Sequence, residues 1–429
     1  MRGVHDVRPT KGIDVLNRKP LLAASVAVLL GVAACGGSSG NDNAGGGASS
    51  GASAGAGGPR TFKVGVLYDA TGPAAASNKG FIQGVKAGVE AIKKDGLTFE
   101  ISEGDTTTSP QAAGAAAQKL VQKDNVDAVL AGSALTFAGA PYLAQQGVPV
   151  VGFPQDGPEW LTLQNMFSVI GPLDGTKVTT TIGEFFKKTG ATTIGTLGYG
   201  VSPQSALSAK SVAVSAKEAG LKAPYVNTAF QFGGTNVQPV ALGMKAAGVD
   251  GVTTGTDQNT ALALVQALKQ VGAPPKSFLL AAGYGADTID AGPAAVKSAE
   301  GAYFTTSYEP VEANTDATKR FSDALTAVGV KQASYSIYNG YVSVLLLAQA
   351  LKDTGSSPSK ADIIKALSGI TSFDADGLRG DHPVNPAGRT VNPGDESCSF
   401  YSVLNGGVFK PVDGAAPLCG KVTDKTVKP

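Results

Sequence analysis

From Phe62 onward the chain alternates short apolar runs with helical patterns, and this alternation restricts the possible folds more than any other feature. The runs are "FKVGVLY", "VDAVLAG", "VPVVGF", "TTIGTLG", "GVTTG" and "SFLLAAG". Each is almost continuous in apolar or small residues, as expected of parallel strands covered by helices on both faces. Between them Phe81, Val85, Val89 and Ile92 recur at helical spacing, as do Val178, Ile182 and Phe185, and Leu262, Val265 and Leu268. Repeated strand-helix units predict a doubly wound parallel sheet. The units continue beyond what one sheet usually holds, so an α/β chain with two such sheets is expected.

The start of the chain reads differently. Arg2, Arg8, Lys11, Arg18 and Lys19 precede "LLAASVAVLLGVAA", the layout of a secretory signal peptide. The apolar run is shorter than the ~20 residues that span a bilayer. After Cys35 comes "GGSSGNDNAGGGASSGASAGAGG", which has no apolar side chain larger than alanine to offset chain entropy. The tetrad Val32-Ala33-Ala34-Cys35 resembles the lipobox of bacterial lipoprotein precursors. That resemblance implies removal of residues 1–34, acylation of Cys35 and a flexible linker over 35–59. The protein is then expected at the cell membrane, lipid-anchored on the extracytoplasmic face.

Composition excludes several functions. The net charge of +1 and 16% charged residues give no basic footprint for nucleic acid. Of 2 histidines, His5 leaves with the signal peptide and His382 stands in the loop "LRGDHPVNPAG", so a histidine triad or a multi-histidine metal site is hard to build. The match "GASAG" to a nucleophile motif falls in the linker, not at a strand-turn-helix. No metal and no cofactor is expected. "YNGYVSVLLLAQALK" is apolar, but Tyr338, Asn339, Gln349 and Lys352 mark it as a core-facing helix. Cys398 and Cys419 flank "SFYSVLNGGVFKPVDG", which reads as a hairpin turning at Asn405-Gly406-Gly407. An exported chain favours a disulfide between them, with two buried thiols as the alternative.

Several stretches, in order, resemble the branched-chain amino-acid (Leu/Ile/Val) branch of the type I periplasmic solute-binding proteins. They are "VGVLYDATGPAAASNKGFIQGVKAGVEAI", "GDTTTSPQAAGAAAQKLV", "VDAVLAGSALTFAGAPYLAQQGVPVVGF" and "YSIYNGYVSVLLLAQALKDTG". The resemblance implies two Rossmann-like lobes joined by a three-strand hinge, with crossings near Gly171 to Asp174, Glu300 to Thr305 and Thr371 to Arg389. Lobe 1 would comprise 60–172 plus 304–380, and lobe 2 would comprise 173–303 plus 381–429. It also implies a monomer that captures a small polar solute and hands it to the permease subunits of an ABC importer. A sensor of the same fold, signalling to a membrane partner, is the alternative. A surface enzyme lacks support, because "YDATGP" stands where a G-x-G-x-x-G would follow the first strand.

Ligands of open parallel sheets bind beyond the carboxyl ends of the strands. The loops leaving those ends are Tyr68 to Pro73, Gly132 to Phe137, Pro154 to Trp160, Tyr199 to Ser205, Thr254 to Thr260 and Gly283 to Asp287. The resemblance places a ligand carboxylate at Ser133, Ala134 and Thr136 and at Gln155, Asp156 and Gly157. Ser133 and Thr136 either take the anion at a helix N-terminus or only cap that helix. Asp156 departs from the family, and its charge would repel a carboxylate by roughly 4 kcal/mol at ~4 Å and a dielectric near 20. The family's acidic partner for an ammonium aligns with Gly283 or Tyr284, neither acidic, which leaves Asp257 or Asp287 as substitutes. Asp257 alternatively caps the next helix. Tyr199, Ser202 and Gln204 complete the lobe 2 wall, and Tyr68, Trp160 and Tyr284 are expected as apolar walls. Ligand identity stays open among amino acids, amide or urea-like solutes and aromatic acids.

Overall fold

The computed structural model describes residues 60–428. The expected signal peptide, Cys35 and the linker lie outside the described residues. Strands β1 (Arg60–Tyr68), β2 (Leu97–Asp105), β3 (Ala128–Gly132), β4 (Val150–Gly152) and β5 (Met166–Ser168) form one sheet in the order β2-β1-β3-β4-β5. Every neighbouring pair is parallel. β3 and β4 are buried along their whole length, which is why they read as unbroken apolar runs, whereas the edge strand β2 mixes buried and exposed positions.

The helix Phe81–Ile92 packs one face of this sheet against the helix Tyr335–Lys352. Their approach is close enough to demand glycine. A Cβ on Gly84 would stand 1.9 Å from the Ile337 carbonyl oxygen, and one on Gly340 would stand 2.1 Å from that of Phe81. The helix Tyr335–Lys352 is buried on nearly all sides, which accounts for its apolar sequence, and no described helix is long and apolar enough to cross a membrane.

The second sheet contains β6 (Lys177–Thr179), β7 (Thr193–Tyr199), β8 (Lys222–Phe230), β9 (Gly251–Gly255), β10 (Ser277–Leu280), β11 (Tyr303–Thr306), β12 (Glu396–Asn405), β13 (Val408–Pro411) and β14 (Leu418–Thr426). Its order is β6-β14-β12-β11-β10-β9-β7-β8, with β13 beside β12. From β8 to β11 the pairing is parallel. The remaining strands join antiparallel, so this sheet is mixed rather than wholly parallel. Val178 belongs to β6 and not to the helix expected around it, which begins at Thr181. The hairpin between β12 and β13 turns on Gly406 and Gly407, whose φ of 66° and 76° are the left-handed values a two-residue turn requires. Cys398 and Cys419 stand directly opposite on β12 and β14 and are disulfide-bonded.

Three segments connect the sheets, and they touch one another. The first runs between β5 and β6. The second follows β11: residues up to Thr306 pair within the second sheet, so the return lies beyond Thr306 and not at 304 as the sequence suggested. The third precedes β12. Buried Arg379, on the third, donates from Nη1 to the Ser307 carbonyl of the second at 2.8 Å, and Glu309 N donates to Leu378 O at 2.8 Å. Arg389 Nη2 donates to Met166 O at 2.6 Å, and Ser168 N to Pro386 O at 3.1 Å, which ties the third segment to β5.

Candidate functional site

The carboxyl ends of both sheets face one cavity of about 260 Å3. Lobe 1 supplies Ala74, Ser77 and Asn78 beyond β1, Ala134 beyond β3, and Phe153 to Asp156 beyond β4. Lobe 2 supplies Tyr199, Gln204, Ser205 and Ser208 around the end of β7, Phe232 beyond β8, Gly255 to Asp257 at the end of β9, and Ala281 and Ala282 beyond β10. Leu173 and Gly175 on the first connection and Tyr335 on the buried helix close the remaining side. A cavity at the switch between strand ends of two doubly wound sheets is where this architecture leaves space for a ligand.

The helix N-termini around the cavity are met by the chain's own carboxylates. Asp69 directly follows β1 and is fully buried. Its Oδ1 accepts from Ser133 Oγ at 2.7 Å and from Thr106 Oγ1, and its Oδ2 accepts from Asn78 Nδ2 at 2.7 Å and Ala134 N at 2.9 Å. The backbone donor and hydroxyl assigned by resemblance to a ligand carboxylate are thus held by Asp69, at the entry to the helix Thr136–Gln145. Asp257 caps the helix Gln258–Gln270: Oδ1 accepts from Asn259 N at 2.8 Å and Thr260 N at 3.1 Å, and Oδ2 from Thr260 Oγ1 at 2.9 Å and the Tyr199 hydroxyl. Burial, reinforced by the charge and contact of Asp257, raises the Tyr199 hydroxyl well above its usual range.

Asp156 is placed differently. Its Oδ1 accepts from Ser202 Oγ, which in turn accepts from Ser205 N and caps the helix Pro203–Glu218. This hydrogen bond spans the two lobes, as does the one from Gln258 N to Ser77 Oγ at 3.2 Å. Among the described residues Asp156 Oδ2 has no donor. Burial pushes the Asp156 carboxyl up to about 6, an effect opposed by the Ser202 hydroxyl and reinforced by Asp69. Behind this loop Glu159 is buried, its Oε2 has no partner, and burial raises it to about 7.

Of the residues expected from the sequence, Ala134, Gln155, Asp156, Tyr199, Gln204 and Asp257 line the cavity. Ser202 reaches it through Asp156. Ser133 and Thr136 do not line it: Ser133 is bonded to Asp69, and Thr136 Oγ1 donates to Ser133 O at 2.8 Å. Three aromatics expected as walls lie elsewhere. Tyr68 is buried and donates to Glu103 at 2.5 Å, Trp160 packs in the core with Met166 and Leu143, and Tyr284 is buried with its hydroxyl on Glu312 at 2.5 Å. Gly157 packs beside Phe137 and Glu159 and is not on the wall. Asp287 borders a separate cavity with Lys79, and burial raises it to about 8. His382 is remote, 2.8 Å from Glu396 and beside the disulfide.

Ser77, Asn78, Phe153, Phe232 and Tyr335 line the cavity from outside the loops expected from the sequence, and Asp69 and Thr256 lie within those loops without being singled out there. Asp69 lay within the quoted "YDATGP", and an acidic residue immediately after the first strand was the available signal. Phe232 had none, since it follows an edge strand whose burial is irregular.

The profile of the family described as "Periplasmic binding protein" matches residues 61–395. The chain belongs to the periplasmic binding protein family. Its members and structural relatives are solute-binding proteins rather than enzymes. This binding protein superposes on a leucine-binding protein from Thermotoga maritima with a TM-score of 0.69 at 19% identity, covering 83% of this chain and 98% of that one. It superposes on the LivJ branched-chain amino-acid binding protein of Streptococcus pneumoniae, solved with isoleucine, with a TM-score of 0.68 at 21% identity, covering 84% and 100%. A solute-binding protein of R. palustris solved with benzoate gives 0.67 at 16% identity, covering 86% and 99%. A search of curated proteins finds no match.

Proposed function

We propose that this binding protein is the lipid-anchored, extracytoplasmic receptor of an ABC importer, a monomer that captures a small polar solute between its lobes and delivers it to permease subunits. The observation that carries the reading is the cavity built from the carboxyl ends of both sheets and bridged across the lobes by Asp156 and Ser202. Closure of two lobes about a hinge is the usual motion of such a scaffold, and the three touching connections suit it to bend as a unit. The lining is uncharged apart from Asp156 and Asp257 and offers amide and hydroxyl groups from Gln155, Gln204 and Ser208, which suits a polar guest. Release follows when both lobes dock on the permease and the bridge between them opens.

Anchoring rests on Cys35 and the apolar run before it. Stable attachment takes more than one acyl chain, at about 0.8 kcal/mol per buried CH2. The test has two arms. Metabolic labelling with palmitate should mark the full chain in the membrane fraction, and Cys35→Ser should remove the label and release the chain. Loss of the chain should abolish uptake of its solute by intact cells while leaving other imports unchanged. An unlabelled chain would refute the anchor, and unimpaired uptake would refute the importer role.

A further inference from the structure

We infer that the interlobe cavity takes an organic cation, a solute with an ammonium or amidinium group and no free carboxylate, held against Asp156 between aromatic walls. The inference rests on the solute-binding reading above and names the class of solute.

The helix N-termini at this cavity are already met from within, two by carboxylates on their backbone donors and one by a serine cap that itself carries a carboxylate. Asp69 holds the donors at the entry to Thr136–Gln145, Asp257 holds those of Gln258–Gln270, and Asp156 sits on Ser202 at the entry to Pro203–Glu218. A ligand carboxylate arriving here would have to displace a buried carboxylate or lie beside one. Among the described residues no Lys, Arg or His side chain lines the cavity to offset that cost. Isoleucine and benzoate, the guests of two relatives, both carry the carboxylate this cavity has no place for.

A cation meets the opposite situation. Asp69 has two hydrogen-bond donors on each oxygen, and Asp257 is met on both oxygens by Asn259 N, Thr260 N and the Tyr199 hydroxyl, so neither needs a further partner. Asp156 keeps one oxygen without a donor on the cavity wall. A charge-assisted N–H bond to that oxygen completes it. The same cavity is lined by Tyr199 packed on Phe232, with ring centroids 4.8 Å apart, and by Phe153 packed on Tyr335, 5.2 Å apart. Aromatic faces attract a cation through the ring quadrupole, more strongly when water is excluded. The volume of about 260 Å3 suits a guest of few heavy atoms.

The test is a thermal-shift screen followed by calorimetric titration of the purified protein. The probes are putrescine, agmatine and choline as cations, urea and acetamide as neutral solutes, and leucine and benzoate as carboxylates. At least one cation should raise the melting temperature and bind one to one. Asp156→Asn should weaken that binding by more than about tenfold. Gln204→Glu, nearly isosteric and on the cavity wall, should tighten it, a sign that lost packing cannot produce. Binding of leucine, benzoate or a neutral solute in place of the cations overturns the inference and leaves the receptor reading standing. Binding of none of the probes counts against both. Cation binding unaffected by Asp156→Asn, or not strengthened by Gln204→Glu, overturns the inference.

Discussion

Asp69 and Asp156 make the most instructive comparison in the molecule. Both are acids on loops at the carboxyl ends of strands in the same parallel sheet, after β1 and after β4. Asp69 is fully buried and surrounded by two hydroxyls, an amide and a backbone N–H. Asp156 has one hydroxyl, contributed by the other lobe. A buried charge that is fully hydrogen-bonded is structural, whereas one left short of donors waits for a partner. The number of donors folded around each side chain, not the side chain itself, separates scaffold from site.

The largest effect expected of a substitution breaks the scaffold half of this comparison. Asp69→Ala strands Thr106, Ser133, Asn78 and the Ala134 N–H together, and should cost about 3 kcal/mol or more of unfolding free energy in denaturant melts. Stability equal to the wild type would show that these donors have other partners. Next comes Ser133→Ala combined with Thr136→Ala, which should lower apo stability by about 1–3 kcal/mol and leave solute affinity unchanged, since neither hydroxyl reaches the cavity. Reduced affinity at unchanged stability would return these two residues to the site.

A pH series sharpens the other half. Asp156, Glu159 and Asp287 are raised to about 6, 7 and 8 by burial, so the folded state holds protons that the unfolded chain has lost. Their contribution is fully present below the unfolded carboxylate value of ~4 and is lost as pH rises through the folded values. Apo stability should therefore increase by roughly 5 kcal/mol or more from pH 8 to pH 5. Below ~4 the trend reverses, because Asp105 and Asp250 are lowered by hydrogen bonds that protonation removes. A melting temperature that falls steadily from pH 8 to pH 5 would contradict the burial of these acids. The smallest effect is that of Asp156→Asn on the apo protein, which should not lower stability and should raise it by about 1 kcal/mol above pH ~6, because the charge it removes is buried with a single hydroxyl donor.

Much of the fold was legible in the sequence because strands buried on both faces leave unbroken apolar runs, as β3 and β4 do. Of the six loops expected from the ends of those runs, four border the cavity, whereas Tyr68 to Pro73 and Gly283 to Asp287 supply none of its wall and the loop of Phe232 was not among them. The antiparallel part of the second sheet was not legible. β12 could be seen as one arm of a hairpin, but its pairing with β11 depends on residues about a hundred positions earlier in the chain. The aromatic walls failed for a related reason. An aromatic in the segment after a strand can face the cavity, as Phe153 does, or fold into the core, as Trp160 does seven residues later, and residue type alone does not separate the two. Likewise Asp257 could be read as a cap from its position before the helix, whereas Asp69 needed the third dimension, since its donors come from Asn78, Thr106 and Ser133.

The most direct test is a calorimetric titration of the stabilising cation into wild type, Asp69→Asn and Asp156→Asn, with the apo melting temperature of each recorded alongside. The account predicts that Asp156→Asn loses affinity and melts no earlier than the wild type, while Asp69→Asn keeps its affinity wherever it is folded and melts earlier. The opposite pattern, with affinity lost at Asp69 and retained at Asp156, would contradict it.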